Sequence, residues 1–276
     1  MPREFSTALG ALKGTLADVV RRRNDPLFRE TLRSALHTVP IAATKTLPWL
    51  VRAREGRDES IERMIAENAR VDPDALALEM GDEQLTWGDV DERVSRIAAV
   101  LAEDGVRSGD VVVLLGDNSP SYLCVLFGIS RLGATASLIN NHLEGSPLEH
   151  AIVSSRGRLA LVQTEFLPRV RALDRLSTLR VVSFELGELE DRVAKASALR
   201  ARVRVDASSD FVYIFTSGTT GLPKPCRVTH ARAVLAGAAF GPLLFEFQPG
   251  AKLYSVLPLY HSSARLIGVR SCAMTR

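Results

Sequence analysis

Tyr213-Ile214-Phe215-Thr216-Ser217-Gly218-Thr219-Thr220-Gly221-Leu222-Pro223-Lys224 joins a β-branched and aromatic run to a loop of hydroxyls and glycines that closes on a lysine. The pattern is suited to holding polyphosphate. Gly218 and Gly221 allow close approach of the backbone to an anion and admit positive φ, which side chains resist. Successive N–H groups in such a loop form a concavity for anions. Ser217, Thr219 and Thr220 add hydroxyl donors, and Lys224 adds a compact cation. Each hydrogen bond to a charged phosphate contributes roughly 1.5–3 kcal/mol, so several together can hold a nucleotide.

The spacing excludes the P-loop of the common NTPases. That device needs four residues between its glycines and then Gly-Lys-[Ser/Thr] opening a helix. Here two residues separate Gly218 from Gly221, and Pro225 follows Lys224. Cys226-Arg227-Val228 reads as a short strand, with a helix beginning near Thr229. The expected order is strand, loop, strand.

Upstream, strand and helix patterns alternate. Ile61, Met64, Ile65 and Asn68 mark a helix that ends before Asp72-Pro73. Residues 75–80 and 84–85 read as strands around Gly81-Asp82. Thr86 opens a helix with Asp89 three residues on, close to a capping box. Val90, Val94, Ile97, Ala98 and Leu101 give it a buried stripe, and Gly105 ends it. Residues 111–115 are continuously apolar, as in a parallel strand covered on both faces. A helix over 121–132 follows Asn118-Ser119-Pro120, then a strand over 134–139 and a helix from Ser146-Pro147. Strands over 159–163 and 180–183 complete the series, and 185–202 reads as a charged surface helix or linker. This alternation predicts right-handed βαβ units in a doubly wound α/β sheet. Ligands bind at the carboxyl ends of such strands, where the 213–224 loop belongs.

The bulk properties narrow the class. The chain has 276 residues, 46% hydrophobic and 24% charged, a globular composition. A net charge of +3 gives no sign of nucleic-acid binding. Residues 1–57 hold eleven Lys/Arg against five Asp/Glu, +6, which leaves −3 for residues 58–276. Cys124, Cys226 and Cys272 form neither a disulfide framework nor a zinc pattern, and read as inert, buried or half-buried thiols in a reducing cytoplasm. No apolar run approaches the ~20 residues of a membrane span, and no secretory leader is visible.

Two segments of the N-terminal region are basic and amphipathic. Phe5, Leu9, Leu12, Leu16, Val19 and Val20 recur at helical spacing, as do Leu27, Phe28, Leu32, Leu36 and Val39. Two uses fit equally: lying on an anionic membrane surface, or capping the globular body. The predicted organisation is therefore a basic segment over 1–57 and a folded body over 58–276.

The stretch from Thr216 to Lys224 resembles the signature of the adenylate-forming (AMP-binding) superfamily of acyl-CoA synthetases, luciferases and peptide-synthetase adenylation domains. Leu257-Pro258-Leu259-Tyr260-His261-Ser262 resembles its second core motif. The Tyr-His-Ser form and the basic N-terminus resemble the fatty-acid-transport-protein branch of fatty acyl-CoA synthetases. The resemblance implies the N-terminal domain of an adenylate-forming enzyme, doubly wound sheets with flanking helices. It implies ATP, magnesium and coenzyme A, with a long- or very-long-chain fatty acid as substrate. It places Thr216, Ser217, Gly218, Thr219, Thr220, Gly221 and Lys224 on the β- and γ-phosphates, and His261 near the acyl carboxylate and α-phosphate. Tyr260 becomes a wall of the site.

The family's downstream motifs have no counterpart before Arg276: the magnesium-binding glutamate, the ribose-binding aspartate and the mobile domain with its lysine. Arg265 and Arg270 fall where the family has an apolar helix, and a sheet edge is expected to lie bare. A truncated or frameshifted form is the expectation. A non-catalytic nucleotide- or partner-binding remnant, and a ligase for an aryl, bile-type or carnitine-like acid, stay open as alternatives. Among the remaining residues, His230 reads as capping or packing, Trp87 as core, and His142 and His150 as no metal site. Asn140-Asn141 is placed to line the cleft.

Overall fold

A computed structural model describes residues 60–199, 203–217, 222–238, 252–255 and 257–261. The basic amphipathic segments and the proposed boundary at 57/58 lie outside the described residues, as do Cys272, Arg265 and Arg270.

The described chain opens with α1 (Ile61–Val71) and a hairpin of β1 (Leu76–Met80) and β2 (Glu83–Thr86). It continues through α2 (Trp87–Glu103), β3 (Val111–Leu115), α3 (Pro120–Arg131), β4 (Thr135–Leu138), α4 (Gly145–Ser155) and β5 (Leu159–Gln163). A short α5 (Leu167–Arg171), β6 (Arg180–Phe184), α6 (Glu188–Lys195), β7 (Asp210–Ser217), β8 (Pro223–Thr229) and α7 (His230–Ala238) follow. The main sheet runs β6-β5-β3-β4-β7-β8. Strands β3 to β7 are parallel, and β8 returns antiparallel to β7. The chain steps from β3 to β4 on one side, then crosses back to β5 on the other. That reversal makes the β3/β5 boundary the switch point of the sheet.

The pleat explains the apolar run at 111–115. Val112 and Leu114 enter one core with α1, α2 and α3, whereas Val113 and Leu115 enter a second core with Leu148, Ile152, Leu167 and Val170. A strand covered on both faces gains nothing from alternation, so every position is apolar.

Local signals place the helices. Thr86 Oγ accepts from the Asp89 N–H at 3.1 Å while the Asp89 carboxylate accepts from the Thr86 N–H at 2.9 Å, a complete capping box. Ser119 caps α3 by accepting from the Tyr122 N–H at 3.0 Å, with Pro120 at the first helical position. All five predicted stripe residues of α2 are buried, and Gly105 beyond its end has φ +83°. Trp87 is buried, as expected of a core residue.

One element is new and one is longer than expected. α5 has only five residues, too few for helical periodicity to register, yet it buries Leu167 and Val170. The strand expected at 226–228 is β8, spanning Pro223–Thr229. Its prolines, Pro223 and Pro225, suggest a loop when taken alone. They stand opposite Ser217 and Phe215 on the outermost strand among the described residues, where proline is tolerated.

One buried charge links three helices. Arg131 of α3 is 2% exposed and donates from Nε to Glu62 of α1 at 2.6 Å. It also donates to the Asp91 carbonyl at 3.1 Å, and to the Asp91 carboxylate and Ser95 hydroxyl of α2.

Candidate functional site

β7 and β8 carry the phosphate-loop signature out of the sheet. The last β7 residue paired with β4 is Ile214, opposite Leu138. Phe215, Thr216 and Ser217 continue past it, so the hairpin projects by about 10 Å at ~3.3 Å per residue. Across the ladder Thr216 is paired with Lys224, and Ser217 with Pro223. Thr216 and Lys224 are both exposed. Gly218, Thr219, Thr220 and Gly221 lie outside the described residues. At the base of the hairpin, Arg227 Nε donates to Asp210 at 2.8 Å and the Tyr213 hydroxyl donates to the same oxygen at 3.2 Å. Burial, reinforced by the Asp210 charge, raises the Tyr213 phenol above its ordinary range. Those contacts hold the register that sets Thr216 opposite Lys224.

The second motif reaches the same end of the sheet by another route. Leu259 and Tyr260 are buried, whereas His261 is exposed. The His261 N–H closes a turn on the Pro258 carbonyl at 2.9 Å, and its ring stands 5.5 Å from the Tyr260 ring. The segment is fastened by Asn118, just beyond β3. Its amide donates to the Leu257 carbonyl at 2.9 Å and its carbonyl accepts from the Leu259 N–H at 2.7 Å. Burial and the nearby Asp117 charge push the Tyr260 phenol upward, which places that carboxylate beside the motif. β3 and β7 flank β4 on either side, about 9–10 Å apart at the usual strand spacing. The structure therefore brings both motifs to the carboxyl end of the sheet, on β7 and beyond β3, two parallel strands separated by β4.

A cavity of about 460 Å³ opens beyond the carboxyl ends of β3, β4 and β5, lined by Asp117, Asn141, His142, Glu144, Glu165, Phe166 and Arg169. Of the Asn140-Asn141 pair, Asn141 is among the lining residues and donates to Asp117. A hydrogen bond with Asp117, then burial, raises the Glu165 carboxyl above the usual carboxylate range. Arg169 donates to the Asn141 carbonyl at 2.8 Å and stacks 4.7 Å over the Phe166 ring.

His230, at the start of α7, is fully buried with its ring 5.0 Å from Phe211, a packing role as expected. Cys124 is buried and its thiol is pushed up to about 12 by desolvation, so it is inert. Cys226 departs from the expectation of burial, because the edge position of β8 leaves it exposed. Asn118 and Asp117 were missed as site residues. Their one signal is position, polar residues between the end of an apolar strand and a Ser-Pro helix start.

Among known protein families, the AMP-binding enzyme family matches residues 65–275. The chain belongs to the AMP-binding enzyme family. One relative is the medium/long-chain fatty-acid–CoA ligase FadD6 of Mycobacterium tuberculosis, 34% identical over 79% of this chain and 37% of the relative. Another is long-chain fatty acid transport protein 2 of Rattus norvegicus, 30% identical over 77% of this chain and 36% of the relative. The chain thus spans a little over a third of the length of these relatives. Among solved structures, the N-terminal domain of FACL13 from Mycobacterium tuberculosis superposes with a TM-score of 0.71 at 27% identity. That match covers 78% of this chain and 55% of the other. The anthranilate CoA ligase AuaEII in complex with anthranoyl-AMP shares the fold, with a TM-score of 0.74 at 22% identity over 78% of this chain and 42% of that one. The family match over residues 65–275 and the superposition on the FACL13 domain bear out the α/β reading and the resemblance drawn from the two motifs.

Among the described residues, no group of three or more His, Cys, Asp or Glu could hold a metal ion. They offer no ligand set for the magnesium that the resemblance implies. No helix among the described residues is long and apolar enough to cross a membrane.

Proposed function

We propose that this chain carries the nucleotide-binding half of a fatty acyl-CoA synthetase. The observation that carries the reading is the arrival of the 213–224 hairpin and the 257–261 turn at the same carboxyl end of one parallel sheet. In the reaction, a carboxylate oxygen attacks the α-phosphorus of ATP. A new O–P bond forms, the bond to the β-phosphate oxygen breaks, and pyrophosphate leaves with its electron pair. The thiol of coenzyme A, losing its proton, then attacks the acyl carbon and AMP departs.

The first step brings two anions together, so it depends on preorganised donors around the phosphates. Thr216, Ser217, Gly218, Thr219, Thr220, Gly221 and Lys224 take the β- and γ-phosphates in this reading. His261, displayed on a buried Leu259-Tyr260 base, faces the acyl carboxylate and α-phosphate and steadies the charge there. The fatty acid class rests on the two relatives above. The basic segment 1–57 supports peripheral contact with an anionic membrane at its cytoplasmic face.

ATP–pyrophosphate exchange with palmitate, alongside a panel of aryl acids, tests the reading. Palmitate-dependent exchange is the expected result. Exchange with aryl acids alone would reassign the substrate, and ATP binding without exchange would leave a nucleotide-binding remnant. Absence of ATP binding would overturn the reading.

A further inference from the structure

We infer that Asn118 is a positioning residue for His261, and that the binding of an acyl-adenylate depends on it; the second clause rests on the synthetase reading above. One carboxamide straddles Pro258, donating to the carbonyl before it and accepting from the N–H after it, at 2.9 and 2.7 Å. Proline has no N–H of its own, so these two bonds are the polar anchors available on either side of it. The same segment then turns through the His261 N–H to Pro258 carbonyl bond, which sets the imidazole two residues beyond the anchored Leu259. Asn118 therefore holds the segment by its backbone, whatever side chains the segment carries.

The platform beneath Asn118 is rigid for reasons visible in the structure. A Cβ placed on Gly116 would meet Phe184 Cζ at 2.7 Å and Gln163 Oε1 at 2.9 Å, so the loop lies flush on β5 and β6. The Asp117 N–H donates to Gln163 Oε1 at 2.6 Å. Ser119 is committed to capping α3 and Pro120 to its first turn. Each residue around Asn118 is thus fixed by β5, β6 or α3, and Asn118 alone of residues 116–119 bonds to the 257–261 segment through its side chain. Through it, the switch point of the sheet sets the place of His261. Asparagine is well suited to the position because it offers a donor and an acceptor on one short, planar group. Aspartate keeps the acceptor for Leu259 and loses the donor for Leu257. Alanine loses both.

The experiment uses the full chain and the variants Asn118→Ala, Asn118→Asp, His261→Ala and the Asn118→Ala/His261→Ala double variant. Hydrogen exchange at the Leu259 amide is read first. Asn118→Ala is expected to lower protection at least about tenfold, with Asn118→Asp close to wild type; unchanged protection in Asn118→Ala would overturn the inference. Affinity for a palmitoyl sulfamoyl-adenosine probe is read second, with an ATP analogue as control. Asn118→Ala and His261→Ala are each expected to weaken the probe about tenfold. The double variant is expected to be no worse than either single, because both changes remove one interaction. ATP-analogue binding and the thermal midpoint are expected to stay within error in Asn118→Asp, which guards against loss of fold. Additive losses in the double variant, or wild-type probe affinity in Asn118→Ala, would sink the dependence of binding on Asn118. Failure of the wild type to bind the probe would overturn the synthetase reading and the binding clause together, while the exchange result would still decide whether Asn118 fixes the segment.

Discussion

Thr216 and Lys224 stand directly opposite each other on the β7–β8 ladder, where the hairpin has already left the shelter of β4. A hydroxyl and an ammonium are thereby presented from the two sides of one loop, and both are exposed.

Lys224→Ala is expected to weaken ATP-analogue binding roughly 10- to 100-fold, the effect of losing a charge-assisted hydrogen bond of ~1.5–3 kcal/mol. Because the side chain is exposed, the thermal midpoint should stay within error. Calorimetric titration measures the first and a melting curve the second. Unchanged affinity would remove Lys224 from the phosphate site.

Arg131 and Glu62 form an ion pair inside the helical layer, 2% and 1% exposed. Arg131→Ala removes the guanidinium shared by Glu62, Asp91 and Ser95 and should cost about 3–5 kcal/mol in urea unfolding, the scale for breaking a buried ion pair. Replacing the pair with Arg131→Met and Glu62→Gln should recover most of that loss. A double variant as unstable as the single would show that the stability lies in the neighbours of the pair rather than in the charge balance.

Gly128 sits in α3 where a Cβ would come within 2.5 Å of Ile97 Cγ2 and 3.0 Å of Ile97 Cβ on α2. Alanine favours a helix by up to about 1 kcal/mol over glycine, so propensity alone predicts stabilisation. Overpacking costs about 1–3 kcal/mol and wins here, because the branched Cβ of Ile97 cannot swing away. Gly128→Ala is expected to lower the denaturation midpoint, whereas a raised midpoint would mean that α2 and α3 slide apart freely.

The capping box carries a pH signature. Hydrogen bonds from the Thr86 N–H and hydroxyl hold the Asp89 carboxyl below its ordinary value of 3.8. A depressed carboxylate contributes stability above its unfolded pKa and loses it as pH falls through the folded one. Asp89→Ala should therefore lower stability at neutral pH, by a few tenths of a kcal/mol up to about 1 kcal/mol because the site is exposed to solvent. That difference should shrink as the pH falls below about 4. Unfolding curves at several pH values check this, and a constant difference would assign the effect to helix propensity instead.

Much of the architecture was legible before any coordinates. The continuous apolar run at 111–115, the Thr86–Asp89 spacing and the Ser119-Pro120 start each reflect local rules that act within a few residues. What escaped was of two kinds. α5 is shorter than the period that would reveal it, and β8 hides behind two prolines that only an edge position tolerates. Cys226 is exposed for the same edge reason, and no property of the thiol itself could have shown it.

The sequence by itself determined the chemistry on offer. Hydroxyls, glycines and a lysine at 216–224 and the Pro-Leu-Tyr-His string at 258–261 are covalent facts, and their spacing alone suffices to exclude a P-loop. Tertiary structure decided where that chemistry meets. Asn118 and Leu259 are 141 residues apart. Only the order of strands in the sheet, β3 and β7 on either side of β4, brings the anchored turn and the projecting hairpin to one end of the fold. Strand order is set by which apolar faces α1 to α4 can cover, a global packing question that no local pattern encodes.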